Sequence, residues 1–316
     1  MATKTLRVAL EVWSADFDQT AQTCVAAEQL GFDAFYYGES PTGLNLDCWT
    51  ALSALASETQ RIRLGPVIAN ILYDYRSLLL LAKQAATLAI VSHGRLDFRT
   101  GTGAAHRFGA AWWEPYGIRY PQYEQRLQHL TTALGLLAPL WAGQSVTIEN
   151  GHRVSLGLSV PVIPVTVAAT GRRAVKLACS TAHRWESGFR TPTEVEAEIR
   201  AANKPASVAY SLEIDGFIGT SEQAAQSVVS QVVEAREPSG EDLGPVLERA
   251  LLGTPEQVAE QMIQYHIAGV EQLVVALHDP HDTDSLHALA TARSIAAEMA
   301  NTDSGAQVDD RHARLE

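Results

Sequence analysis

Residues 98–109 read FRTGTGAAHRFG, and the reading of these glycines decides the fold. Gly101 and Gly103 follow a short strand-like run and fill the first two positions of a G-x-G-x-x-G fingerprint; His106 stands in the third. A dinucleotide-binding turn needs that third glycine for close helix–strand packing, and it needs a helix to open at once. The following AAWWEPYGIRYP (110–121) holds two prolines and reads as loop. The phosphate-loop pattern GxxxxGK[ST] does not occur. The glycines then suit either a tight turn with positive φ or a place where a flat ligand approaches the backbone without a Cβ in the way.

Outward from this stretch the chain alternates. Strand-like runs at 6–13, 32–38, 61–70, 94–101, 160–170, 183–189, 206–219 and 271–279 are each followed by a predicted helix. Several helix starts carry their own signals, such as Asp16 as a cap and Thr191 before Pro192. The runs are apolar rather than alternating, as in parallel strands covered on both faces. Eight such units predict an α/β fold, a (β/α)8 TIM barrel, with an open doubly wound sheet as the alternative. The stretch 141–160 reads as a small hairpin insertion before strand five, turning at Glu149-Asn150-Gly151. One domain is expected over 1–300, followed by a disordered tail at 301–316.

Composition narrows the function. The 316 residues are 46% hydrophobic and 19% charged, with a net charge of −12, so neither a nucleic-acid partner nor a membrane partner is expected. Cys24, Cys48 and Cys179 lie far apart and form no CxxC. The ten histidines form no HExxH or other metal spacing, and no GxSxG or SxxK motif supports a nucleophilic hydrolase. The N-terminal MATKTLRVALEVW shows no signal-peptide pattern, and a soluble cytoplasmic protein is expected.

The segments ETQRIRLGPVIAN (58–70) and LLLAKQAATLAIVSHGRLDFRTGTG (79–103) resemble the bacterial luciferase-like superfamily of flavin-dependent monooxygenases. LGFDAFYYGES (30–40), VAATGRRAVKLA (167–178) and GTPEQVAEQMIQYHIAGVEQLVV (253–275) carry the same resemblance. There are departures. Ala89 stands where the family usually has Asp, Ser40 where many members have His, and Arg99 where a glycine is typical.

The resemblance implies a barrel binding reduced FMN, or coenzyme F420, at its C-terminal mouth. It implies a monooxygenase that reacts reduced FMN with O2, through a C4a-peroxyflavin, to oxygenate a medium-sized organic substrate. The reduced flavin would come from a separate reductase, and a homodimer is implied. An F420-dependent hydride-transfer enzyme and a non-catalytic flavin-binding subunit are the alternatives.

Carried onto this chain, Gly101, Thr102, Gly103 and Ala104 would lie along the flavin. The turn Ala169-Thr170-Gly171-Arg172-Arg173 would hold its phosphate on free helix amides and added positive charge. Asn70 would meet the pyrimidine edge and Tyr123 the phosphate. His106 is the acid/base candidate, its imidazole titrating near neutrality, and Glu39 would orient the site. Trp13, Trp112 and Trp113 would wall a pocket for an aromatic or polyketide-type substrate. Arg61, Arg63 and Arg95, at the opposite barrel end, read as structural ion-pair partners.

Overall fold

The computed structural model describes residues 5–148, 151–236 and 242–312, with backbone alone for 235, 236 and 301–312. Eight parallel strands form the barrel: β1 (Arg7–Val12), β2 (Ala34–Gly38), β3 (Arg63–Val67), β4 (Phe98–Gly101), β7 (Val165–Ala168), β8 (Arg184–Gly188), β9 (Ala209–Ile218) and β11 (Gln272–Leu277). Hydrogen-bonded order runs β3-β2-β1-β11-β9-β8-β7-β4, and the bridges Leu64–Leu96 and Ala69–Thr100 join β3 to β4 to close the ring. This is the expected barrel, and the open doubly wound sheet is excluded. The two very short strands β5 (Val146–Thr147) and β6 (Arg153–Val154) pair antiparallel as the small insertion. Glu149 and Asn150, expected at its turn, lie outside the described residues.

Local signals place the helices. Asp16, Asp47 and Ser77 accept hydrogen bonds from the first turns of α1 (Phe17–Gln29), α2 (Cys48–Glu58) and α3 (Leu78–Val91). Thr191 and Glu194 close a capping box on α7 (Pro192–Ala202), and Thr254 and Gln257 do so on α10 (Pro255–Ile267). The other described helices are α4 (His106–Trp113), α5 (Tyr123–Trp141), α6 (Arg172–Thr181), α8 (Glu222–Arg236), α9 (Gly244–Glu248) and α11 (Thr283–His312).

One expectation is corrected, and two further features are seen. A helix, α4, opens directly at His106; Pro115 stops it only after Trp113, where a 3-10 turn follows. The short strand β10 (Leu251–Gly253) adds in parallel beside the end of β9, because β9 at ten residues outreaches its barrel neighbours. Helix α11 is described as far as His312, and 313–316 lie outside the described residues.

Strand alternation splits the interior into two layers. Val8, Leu10 and Val12 pack outward in the large cluster beneath the helices, whereas Ala9, Ala34, Tyr36, Val67 and Val274 form a separate lumen cluster. The same inward face carries polar groups. Tyr36 donates to Asp97 Oδ2 at 2.9 Å and accepts from Gln272 at 3.0 Å, and Arg99 stacks on the Tyr36 ring at 4.2 Å. At the N-terminal end, Arg63 pairs with Asp97 at 2.7 Å as expected. Arg95 instead donates to carbonyls of Ala56, Thr59, Ile62 and Ser92, tying off the end of α2.

Candidate active site

A cavity of about 640 Å³ opens at the C-terminal ends of the strands. Four carboxylates from three strands and one strand end reach it: Glu11 (β1), Glu186 (β8), Glu213 (β9) and Glu39 just after β2. Trp13, Trp112, Trp113, Phe108, Phe189 and Tyr120 supply aromatic wall. Among the described lining residues there is no lysine, arginine or histidine.

The glycine loop forms one side. Thr102, Gly103 and Ala104 line the cavity, while Gly101 lines a small adjoining crevice with His129 and Arg126. The chain's own packing requires these glycines. A Cβ on Gly101 would meet the Ala168 carbonyl oxygen at 2.7 Å, and one on Gly103, at φ +73°, would meet Tyr120 Oη at 2.5 Å. Arg126 on α5 is almost fully buried and holds the loop from behind. It donates to the carbonyls of Thr102 at 2.7 Å and Ala104 at 2.9 Å, and stacks on Tyr120 at 4.3 Å. Sequence reasoning missed Arg126, because one arginine among the polar residues of an amphipathic helix carries no signal of its own.

Glu39 is a positioning residue rather than a free carboxylate. It pairs with buried Arg76, accepts from Trp49 Nε1 at 2.8 Å and accepts the Asn70 backbone N–H. It thereby fixes the turn after β3 that puts Asn70 on the cavity wall. Burial pushes its pKa up, and Arg76 opposes that shift. The Val67–Ile68 peptide beside it is cis, and both residues line the cavity.

Three further carboxylates were invisible as a group in the sequence, because only barrel closure turns these strand positions inward together. Arg99 Nη2 lies 2.5 Å from Glu186 Oε1, and Ser211 donates to Glu186 Oε2 at 2.9 Å. This pairing explains the arginine at a position where glycine is typical of the family. Trp13 Nε1 donates to Glu11 Oε1 at 2.8 Å, while Glu11 Oε2 is buried with no hydrogen-bond partner. Burial raises the pKa of Glu11, with Arg99 opposing. Burial also raises Glu213 well above the carboxylate range, reinforced by Glu11 and Glu186.

The other expected residues divide. Ala169 and Thr170 line the cavity, and Gly171, the N-cap of α6, follows them at the rim. No side chain caps α6, so its first amides remain for an anion. A Cβ on Gly171 would lie 3.1 Å from Tyr123 Oη, which brings Tyr123 to this turn. Arg172 is exposed beside it, and Arg173 pairs with Glu124. All three tryptophans line the cavity; Trp112 meets Trp13 edge-on at 5.9 Å, and Trp113 packs on Tyr75 at 4.9 Å. His106 does not join them. It starts α4 outside the lining set, 6.0 Å from Tyr120 between ring centres.

The comparisons with known proteins agree with this architecture. The F420-dependent glucose-6-phosphate dehydrogenase of Beutenbergia cavernae is 29% identical over 170 residues, covering 49% of this chain and 47% of its own. The chain thus spans about half the length of the curated relatives it matches. An F420-dependent secondary alcohol dehydrogenase in complex with an F420-acetone adduct superposes with TM-score 0.73 at 14% identity, covering 91% of this chain and 99% of its own. The oxygenating constituent of 3,6-diketocamphane monooxygenase from Pseudomonas putida, in complex with FMN, also gives 0.73, at 16% identity over 93% and 98%. At such identities the solved structures establish the fold. The model of the luciferase-like monooxygenase family matches residues 2–272, and the chain belongs to that family.

Proposed function

We propose that this chain is the oxygenating component of a two-component flavin system: it uses reduced FMN and O2 to oxygenate an organic substrate, and a separate reductase supplies the flavin. One observation carries this reading. The cavity is aromatic-walled and has no cationic side chain among its described lining residues, while the uncapped start of α6 stands at its rim with the exposed Arg172 beside it. That suits a cofactor with one phosphate and a flat ring system.

The residues fit such a group. The Thr102–Ala104 backbone, held by Arg126, offers one wall, and the Thr170–Arg173 turn offers free amides with Arg172 alongside. When bound, reduced flavin supplies the electrons that activate oxygen. The chain's own part is placement, exclusion of water by Trp13, Trp112 and Trp113, and proton handling. Proton handling falls to Glu11 and Glu213, which line the cavity and whose pKa values burial raises, while His106 stands outside the lining set.

A second reading, F420-dependent hydride transfer, draws on the names of the curated relatives. The acidic tail of F420 needs cations that the described cavity wall does not offer. The test supplies the purified chain with photoreduced FMN, 18O2 and a panel of aromatic ketones and phenols. Organic product carrying 18O supports the monooxygenase. Turnover of an alcohol with F420 and no oxygen uptake supports the second reading instead.

A further inference from the structure

The cavity floor is short of positive charge. Of its four carboxylates, Glu39 has Arg76 and Glu186 has Arg99. Glu11 and Glu213 form no ion pair among the described residues, and both face the same space. Glu11 is 92% buried, and its Oε2 has no hydrogen-bond partner there. A buried carboxylate oxygen without a donor is costly, so a donor or a positive charge brought by a ligand is favoured at this point.

Among the described residues, no group of His, Cys, Asp or Glu is placed to hold a metal ion. Burial raises the pKa of both Glu11 and Glu213, and an organic cation seated on them would draw them to the ionised form and supply the donor that Glu11 Oε2 lacks. The walls agree. Trp13 is fixed beside the carboxylates by its bond to Glu11, and Trp112 stands edge-on to it at 83°. Tryptophan faces next to carboxylates are a good environment for an ammonium group.

We propose that the substrate taken by this cavity carries an organic ammonium group, seated on Glu11 and Glu213 and walled by Trp13 and Trp112. This rests on the reading of the cavity as the substrate site of a flavin-dependent enzyme. It also sets the chain apart from the sugar-phosphate dehydrogenases it resembles. A second phosphate dianion carried past the α6 turn to the cavity floor would meet Glu11, Glu186 and Glu213 and no cationic lining side chain, an arrangement that disfavours it.

The test is calorimetric titration of the full chain, cofactor-free and FMN-loaded, with benzylamine, benzyltrimethylammonium, benzyl alcohol and glucose 6-phosphate. Both cations are expected to bind at least about tenfold more tightly than the alcohol. Glu11→Gln and Glu213→Gln should each remove most of that preference, read as the ratio of cation to alcohol affinity. Trp112→Ala, at an exposed position, should weaken benzyltrimethylammonium more than benzyl alcohol, and it serves if a floor variant misfolds. Benzyl alcohol binding as tightly as the amines, or glucose 6-phosphate binding more tightly, overturns the proposal. FMN affinity is read separately: loss of FMN binding counts against the flavin reading, whereas FMN binding without amine preference counts against the ammonium proposal alone.

Discussion

Arg99 on β4 and Glu186 on β8 meet inside the barrel, Nη2 to Oε1 at 2.5 Å and Nε to Oε2 at 3.3 Å, both closed to solvent. Removing one partner strands the other charge in the lumen. Arg99→Met is expected to cost about 3–5 kcal/mol in urea denaturation. The double variant Arg99→Met with Glu186→Leu should recover much of that loss, because neither partner of the pair is left without the other. A single variant as stable as the parent would mean that the pair does not hold the lumen together.

Gly103 and Gly117 share a positive φ, +73° and +74°, but not their surroundings. A Cβ on Gly117 meets nothing within 4 Å, whereas one on Gly103 meets Tyr120 Oη at 2.5 Å. Gly117→Ala should cost only the backbone strain, about 1 kcal/mol. Gly103→Ala should cost a further ~1–3 kcal/mol by overpacking and should also weaken FMN binding. Equal costs in thermal denaturation would show that Tyr120 yields freely.

The carbonyls of Thr102, Ala104 and Pro121 all accept from the single guanidinium of Arg126. Arg126→Met keeps the buried stem and leaves these carbonyls to find other donors. FMN affinity is expected to fall about tenfold, on the order of 1.4 kcal/mol, with the far-ultraviolet circular dichroism unchanged. Unaltered affinity would separate the loop's position from cofactor binding.

Glu213 has a folded-state pKa raised well above its ordinary 4.5, first by burial and then by Glu11 and Glu186. A raised pKa means that the folded state holds the proton more tightly than the unfolded chain. The stability from this group is full below 4.5 and is lost as pH rises through the folded value. Glu213→Gln removes that dependence. The stability of the variant relative to the parent should be flat below pH 4.5 and rise with pH above it. A difference independent of pH would place Glu213 in solvent.

The barrel was legible because its signals are local and repeated. Asp16 and Thr191 are where the caps were expected, Pro192 opens its helix, and the eight apolar runs became the eight barrel strands. Helix α4 was not legible, since Pro115 and the following turn hid the eight helical residues before them. In the site, the residues found from the sequence stand at strand ends and turns: Glu39, Asn70, Gly103, Thr170 and Trp13. Those missed, Glu11, Glu186 and Glu213, sit within strands. Their shared direction depends on a register that closes only in three dimensions. Arg99 looked like a departure from a glycine pattern until Glu186 appeared opposite it.

Equilibrium dialysis of the purified chain against FMN, riboflavin and F420, repeated with Arg172→Glu, tests the anion turn and the cofactor together. FMN should be held at least about tenfold more tightly than either riboflavin, which lacks the phosphate, or F420, and Arg172→Glu should erase the margin over riboflavin. F420 held more tightly than FMN, or riboflavin held as tightly as FMN, would contradict a single-phosphate flavin site at the mouth of this barrel.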